Sequence, residues 1–182
     1  ATGNVGREML NILSERNFPC EEVIALASER SEGDAVPFGN KELIVQSLSS
    51  YDFSETSIAL FSAGGKISEV YGPIAAEQGC IVIDNSSKFR MDNDVPLIVP
   101  EVNIEMLEHY RTTNIIANPN CSTIQMVVAL KPLEDLASIN RINVSSYQST
   151  SGAGKVAMEE LFNQTKGIFS NQEVQPESFT KQ

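Results

Sequence analysis

Ala1-Thr2-Gly3-Asn4-Val5-Gly6-Arg7-Glu8-Met9-Leu10 opens the chain, Val23-Ile24-Ala25-Leu26-Ala27 follows it, and these two stretches decide the fold. Met9, Leu10, Ile12 and Leu13 recur with the period of a helix and give it one apolar face, while the short apolar run at 23–27 reads as a buried strand. Gly3 and Gly6 have the spacing of the last two glycines of a dinucleotide-binding fingerprint. There the backbone must approach a pyrophosphate and a helix must pack closely on its strand. The first glycine of that fingerprint and the strand before it would lie ahead of Ala1, so the chain is expected to begin inside a structural unit. A G-x-x-G pair alone fits an ordinary loop equally well; the helix-then-strand order behind it favours the nucleotide reading.

Strand-like and helix-like segments continue to alternate. Leu43 to Gln46 and Ser57-Ile58-Ala59-Leu60-Phe61 read as strands, the second leading into Ser62-Ala63-Gly64-Gly65. A helix with a start signal at Ser68 carries Val70, Ile74 and Ala75, and Gly79 closes it before the strand Cys80-Ile81-Val82-Ile83-Asp84. Ile142 to Tyr147 alternates like a further strand, and a helix is expected from Lys155 onward. This order predicts an α/β, Rossmann-like doubly wound parallel sheet with helices on its faces, whose ligand crevice is lined by the segments 28–33, 62–65 and 84–90. The tail from Gly167 to Gln182, rich in Gln, Asn and Ser, has no strong periodicity and is expected to be disordered or cut off from its packing partners.

With 182 residues, 41% hydrophobic and 20% charged, the chain can bury a real core. A formal net charge of -11 argues against nucleic-acid or anionic-membrane binding, since both need clustered cations. No apolar run approaches the length of a membrane span. Cys20, Cys80 and Cys121 are odd in number and widely separated, and His109 is the only histidine, so neither a disulfide framework nor a metal site is expected, and a reducing cytoplasm fits best.

The chemistry centres on Asn118-Pro119-Asn120-Cys121-Ser122-Thr123, where the extended Ile115-Ile116-Ala117 turns into the apolar run from Ile124 to Leu130. Free cysteines are usually inert core residues. Cys121 differs by position, because the N-P-N turn keeps the chain out of helix just before it and Ser122 and Thr123 can cap the first turn. A sulfur at a helix start lies in the field of unpaired N–H groups, which favours its thiolate and makes Cys121 a candidate nucleophile.

Two further loops carry ligand signals. The loop after Ala27 offers Ser28, Arg30 and Ser31 where an NAD-binding strand would commonly end in a carboxylate, which favours the 2'-phosphate of NADP; a solvated charged loop is the alternative. Gln148-Ser149-Thr150-Ser151-Gly152-Ala153-Gly154 fits either a site for phosphate or nicotinamide or a plain connection into the helix at Lys155. His109 lies on a polar face and reads as solvated.

The opening A-T-G-N-V-G, the S-E-R-S-E-G loop, F-S-A-G-G, the run D-N-S-S-K-F-R-M-D-N-D-V-P-L-I-V-P-E-V-N, N-P-N-C-S-T-I-Q and Y-Q-S-T-S-G-A-G together resemble aspartate-semialdehyde dehydrogenases of the bacterial type. The motifs are ordered and span nearly the whole chain. The resemblance implies an NADP domain at residues 1–119 and the beginning of an α+β catalytic and dimerisation domain at 120–182. It also implies a cytoplasmic homodimer that reversibly converts aspartate semialdehyde and inorganic phosphate into aspartyl phosphate, a branch-point step toward lysine, methionine and threonine. Cys121 would then attack the aldehyde and carry the thioester. Asn120 would position the reacting centre, Gln148 would contact the substrate and Arg90 would bind phosphate. Thr2, Gly3, Asn4 and Val5 would meet the cofactor's pyrophosphate, Arg30 and Ser31 its 2'-phosphate, and Ser151 with Gly152 its nicotinamide end.

Family members are much longer than this chain, and their general-base histidine, a second arginine and a phosphate-binding lysine fall outside the matching segments. Without that base the chain alone is expected to lose a factor of about 10² to 10⁴ and to be nearly inactive. The competing readings are an N-acetyl-glutamyl-phosphate reductase, which shares the thioester chemistry, and a non-catalytic nucleotide-binding or dimerisation module.

Overall fold

The fold is described from a computed structural model for residues 1–172 and 174–179. Helix α1 spans Asn4–Glu15 and starts from Gly3 in extended conformation. Leu10 is buried, Met9 and Leu13 are half-buried, and Ile12 faces solvent, so the apolar face is narrower than the sequence suggests. Gly6 has no room for a side chain, because a Cβ there would stand 2.8 Å from the Ala1 carbonyl oxygen.

Strand β1 (Leu26–Ala27) pairs in parallel with β4 (Gln46–Ser47), and between them β2 (Ala35–Phe38) and β3 (Lys41–Ile44) form an antiparallel hairpin turning at Gly39 and Asn40. Of the expected strand at 23–27 only the last two residues join a ladder, although Ala25 is buried and its carbonyl accepts the Gln46 N–H. Leu10, Ala25, Val36 and Val45 make the core of this part.

The second part is a three-stranded parallel sheet in the order β5 (Ile58–Phe61), β6 (Ile81–Asp84), β7 (Ile115–Ala117). Helix α2 (Gly65–Glu77) makes the crossover from β5 to β6, the short α3 (Pro100–Asn103) precedes 3-10 turns over Ile104–Thr112, and Leu97 adds a parallel bridge to Ala117. Phe53 anchors the core here, stacked on Phe61 at 6.3 Å between ring centres and met edge-on by Tyr51 at 4.9 Å. Parallel pairing with a helical crossover confirms the α/β reading.

Helix α2 is capped at Gly64, four residues before Ser68. Gly64 turns the chain at φ 88, a conformation that favours glycine, and Ser68 faces inward, fully buried, with its hydroxyl on Asp84. Gly79, at φ 92, ends the helix region as expected.

Helices α4 (Cys121–Leu136) and α5 (Lys155–Ser170) complete the chain. Ile142–Tyr147 forms no strand. An alternating pattern becomes a strand only on a ladder, and this segment pairs with none of the described strands; Tyr147 stands 99% exposed. The tail is also more ordered than expected. α5 runs through Gly167, and a Cβ on Gly167 would meet the Gln172 carbonyl oxygen at 2.8 Å. The buried Glu160 carboxylate accepts the N–H groups of Ser178 and Phe179, the latter at 3.4 Å. Glu173 and Thr180–Gln182, part of the same tail, lie outside the described residues. No described helix is long and apolar enough to cross a membrane.

A Cβ at the buried Gly72 of α2 would approach the Phe89 ring to 3.1 Å. Gly72→Ala gains about 1 kcal/mol of helix propensity against that crowding and should be near neutral. Gly72→Val adds two more methyl groups and should destabilise by about 1–3 kcal/mol, read as a lower denaturant midpoint at unchanged slope.

Candidate functional site

Phe61, Asp84 and Ala117 are register partners across the parallel ladder, so the loops that follow them leave the sheet at one edge. The loop after β7 is short. Asn118 donates its N–H to the Asp84 carbonyl at 2.8 Å, Pro119 is buried, and Asn120 takes an extended conformation at the start of α4. The Asn120 Oδ1 accepts both the N–H and the hydroxyl of Ser122, each at 3.0 Å. The cap is therefore Asn120 rather than Ser122 or Thr123. Cys121 is the first residue of the helix and is exposed.

Arg90 is knitted into this turn. Its Nε donates to the Asn118 carbonyl at 2.9 Å and its Nη2 to the Asn85 carbonyl at 3.0 Å, while the Asn118 side-chain amide donates to Asn85 Oδ1 at 2.7 Å. Among the described residues Nη1 has no protein acceptor. A half-buried guanidinium with two fixed donors and a spare edge is suited to binding an oxyanion in one orientation.

Beneath it lies a group that the sequence reading missed. Asp84 is fully buried; its Oδ1 accepts the Ser68 hydroxyl and its Oδ2 the Ser86 hydroxyl, both at 2.6 Å. The signal was a carboxylate closing the apolar run Ile81-Val82-Ile83, which must find donors if the strand is buried.

The nucleotide candidates sit on other elements than Cys121. Thr2, Gly3, Asn4 and Val5 form the start of α1, which has no side-chain cap, and the position of a Cβ on Gly3 faces open space. The start of a 12-residue helix with a glycine approach fits a pyrophosphate. Asn4 also touches α5, its amide lying 3.5 Å from the Met158 sulfur, and an open depression of about 520 Å³ runs from Asn4 along Lys155, Met158 and Phe162. Arg30 and Ser31 sit in a single 3-10 turn after β1, with Arg30 exposed. The neighbouring Glu29 carboxylate is drawn to the Ser49 hydroxyl at 2.8 Å.

Gln148 folds over Gly152, where a Cβ would stand only 2.2 Å from the Gln148 amide nitrogen, and Ser151 shares a hydroxyl contact with Ser149 at 3.0 Å. The structure thus joins Arg90 to Asn118 in the turn that leads to Asn120 and Cys121, Asn4 to α5, and Gln148 to Gly152. No described hydrogen bond links Gln148 to Cys121, or either to Arg30. His109 is exposed on its 3-10 segment, and no described cluster of His, Cys, Asp or Glu could hold a metal ion.

Comparison with known proteins gives two family matches. The model described as semialdehyde dehydrogenase, NAD binding domain, matches residues 1–110, and that described as semialdehyde dehydrogenase, dimerisation domain, matches residues 130–182. Aspartate-semialdehyde dehydrogenase 2 of Vibrio cholerae serotype O1 is 54% identical over 182 residues, covering 100% of this chain and 54% of the relative. The crystal structure of aspartate semialdehyde dehydrogenase II from Vibrio cholerae complexed with ASA superposes with TM-score 0.95 at 53% identity, covering 100% of this chain and 54% of that one. The Candida albicans aspartate semialdehyde dehydrogenase with NADP superposes with TM-score 0.65 at 27% identity, covering 76% of this chain and 46% of that one. The chain spans about half the length of the curated relatives it matches.

The three cysteines should separate by reactivity. Burial pushes the Cys80 thiol up to about 11, which leaves about one molecule in a thousand as thiolate at pH 8, whereas Cys20 and Cys121 are exposed. Iodoacetamide at pH 8 should label Cys20 and Cys121 in the native protein and Cys80 only after denaturation, as mapped by mass spectrometry. Native labelling of Cys80 as fast as Cys20 would contradict the packing described.

Proposed function

The chain belongs to the semialdehyde dehydrogenase family, and on that premise we propose that it is the nucleotide-binding and nucleophile-bearing part of an NADP-dependent aspartate-semialdehyde dehydrogenase. The observation that carries this reading is the exposed Cys121 at a capped helix start, tied through Asn118 to the guanidinium of Arg90. A nucleophile beside an anion-binding fork is what an aldehyde oxidation that ends in phosphorolysis requires.

In this reading the Cys121 thiolate adds to the aldehyde carbon, and the former carbonyl oxygen takes up the proton that the thiol gave up, which forms a thiohemiacetal. NADP, when bound, accepts the hydride. Loss of that hydride from carbon and of a proton from the hydroxyl leaves a thioester on Cys121. Arg90 holds phosphate by its spare Nη1 edge, a phosphate oxygen attacks the thioester carbon, and the Cys121 thiolate departs, leaving an acyl phosphate. Asn120 uses its Oδ1 for the cap, which leaves its Nδ2 to orient the reacting carbonyl. Gln148 contributes its amide to the substrate. We assign the proton acceptor to the portion of the relatives' length that this chain does not span, since His109 lies on an exposed segment remote in bonding from Cys121.

Thr2, Gly3, Asn4 and Val5 take the pyrophosphate, and Ser151 with Gly152 the nicotinamide end. Arg30 and Ser31 take the 2'-phosphate, a preference supported by the engagement of Glu29 with Ser49. We place the division between nucleotide and catalytic domains at residues 119 and 120, and infer a cytoplasmic homodimer built through the second of them.

In the complete polypeptide, Cys121→Ala should reduce phosphate-dependent NADP reduction by aspartate semialdehyde to background while leaving NADP binding intact. Arg30→Ala should raise the KM for NADP about 10- to 100-fold and leave that for NAD nearly unchanged, the expected loss of a charge-assisted contact. Activity surviving Cys121→Ala, or equal losses for both nucleotides, would refute the respective assignment.

A further inference from the structure

We propose that Asp84, held by Ser68 and Ser86, is a positioning residue that aims Arg90 and sets the turn presenting Cys121; this rests on the functional reading above. The geometry runs as one connected path. Asp84 ends the central strand β6 with no exposed surface, and each of its carboxylate oxygens accepts one hydroxyl at 2.6 Å, from Ser68 on α2 and from Ser86 on the following loop. The Ser86 oxygen in turn accepts the Lys88 N–H at 3.1 Å. Further out, Lys88 pairs with Glu69 at 2.6 Å, and the Phe89 ring lies against Gly72. Helix α2 therefore holds this segment at Asp84, Lys88 and Phe89, and reaches Ser86 through the Asp84 carboxylate. Arg90 is the next residue, and its two fixed donors reach the carbonyls of Asn85 and Asn118.

A buried carboxylate satisfied by two neutral hydroxyls is a costly way to fill a core, and apolar residues of similar volume would do so more stably. What an apolar residue would not do is fix Ser86, and with it the course of the loop, relative to α2. The carboxylate is thus better explained by the orientation it imposes than by the stability it adds. Asp84 also ties to the nucleophile through its own backbone, because its carbonyl accepts the Asn118 N–H at 2.8 Å. One residue sets the height of Asn118 by its main chain and the reach of Arg90 by its side chain.

The test uses the complete polypeptide with Ser86→Ala, Ser68→Ala and the conservative Ser86→Thr. Two readouts are taken: the KM values for phosphate and NADP beside kcat, and the iodoacetamide alkylation rate of Cys121 relative to Cys20 in the same molecule. Ser86→Ala should raise the KM for phosphate about tenfold with the KM for NADP unchanged. It should also change the Cys121-to-Cys20 alkylation ratio severalfold, and Ser86→Thr should restore both. Ser68→Ala should act in the same direction. Unchanged phosphate KM and unchanged alkylation ratio in folded alanine variants would overturn the proposal. So would a loss of kcat and thermal stability without the KM split, or failure of both alanine variants to fold, since either outcome makes the cluster purely structural. A wild-type enzyme without phosphate-dependent NADP reduction would instead sink the functional reading, and the alkylation ratio would still decide whether the cluster positions Cys121.

Discussion

Three parallel strands that stop at the same level are the constraint on which the rest of this molecule depends. Because Phe61, Asp84 and Ala117 are neighbours in the ladder, the loops beginning at Ser62, Asn85 and Asn118 emerge side by side. Parallel pairing makes this arrangement unavoidable, since every strand of such a sheet delivers its following loop to the same edge. The register thus sets the segment carrying Arg90 against the turn that leads into Cys121, although the two are distant in sequence. Local hydrogen bonds then set the details, with Asn118 contacting both the Asp84 and Arg90 segments.

Much of this was legible in the residues, because the features concerned are governed by local rules. The N-P-N turn into a helix at Cys121 follows from the restriction proline places on its predecessor and from asparagine's ability to cap. The strands at Ile58–Phe61 and Ile81–Asp84 are short apolar runs closed by turn residues, and the sheet built from them is the one expected. Errors arose where tertiary context outweighed local pattern. Ser68 looks like a cap but is recruited inward by Asp84, and Gly64 starts the helix because it alone suits φ 88. Ile142–Tyr147 has the alternation of a strand but joins no ladder among the described residues.

The site was legible as a set of residue types and less so as a set of contacts. Arg90 can be singled out as an anion binder, yet nothing in the letters says that two of its donors are already committed to main-chain carbonyls. Gln148 can be placed in a polar loop, but its packing over Gly152 is a matter of close approach that only coordinates reveal. Asp84 was hidden for a related reason. A carboxylate at a strand end looks like surface until the hydroxyls that accompany it into the interior are seen.

The interior is divided between two apolar clusters, one built around Leu10, Val36 and Val45 and the other around Phe53, Phe61 and Val82, with β1 touching both through Ala27 and Leu26. Changes in well-separated packing groups combine with little interaction. Selection can therefore act on the packing under α1 and on the packing beneath the β5–β6–β7 sheet as nearly independent traits. A lineage is free to repack one cluster without disturbing the other, and epistasis between the two should concentrate at Leu26 and Ala27.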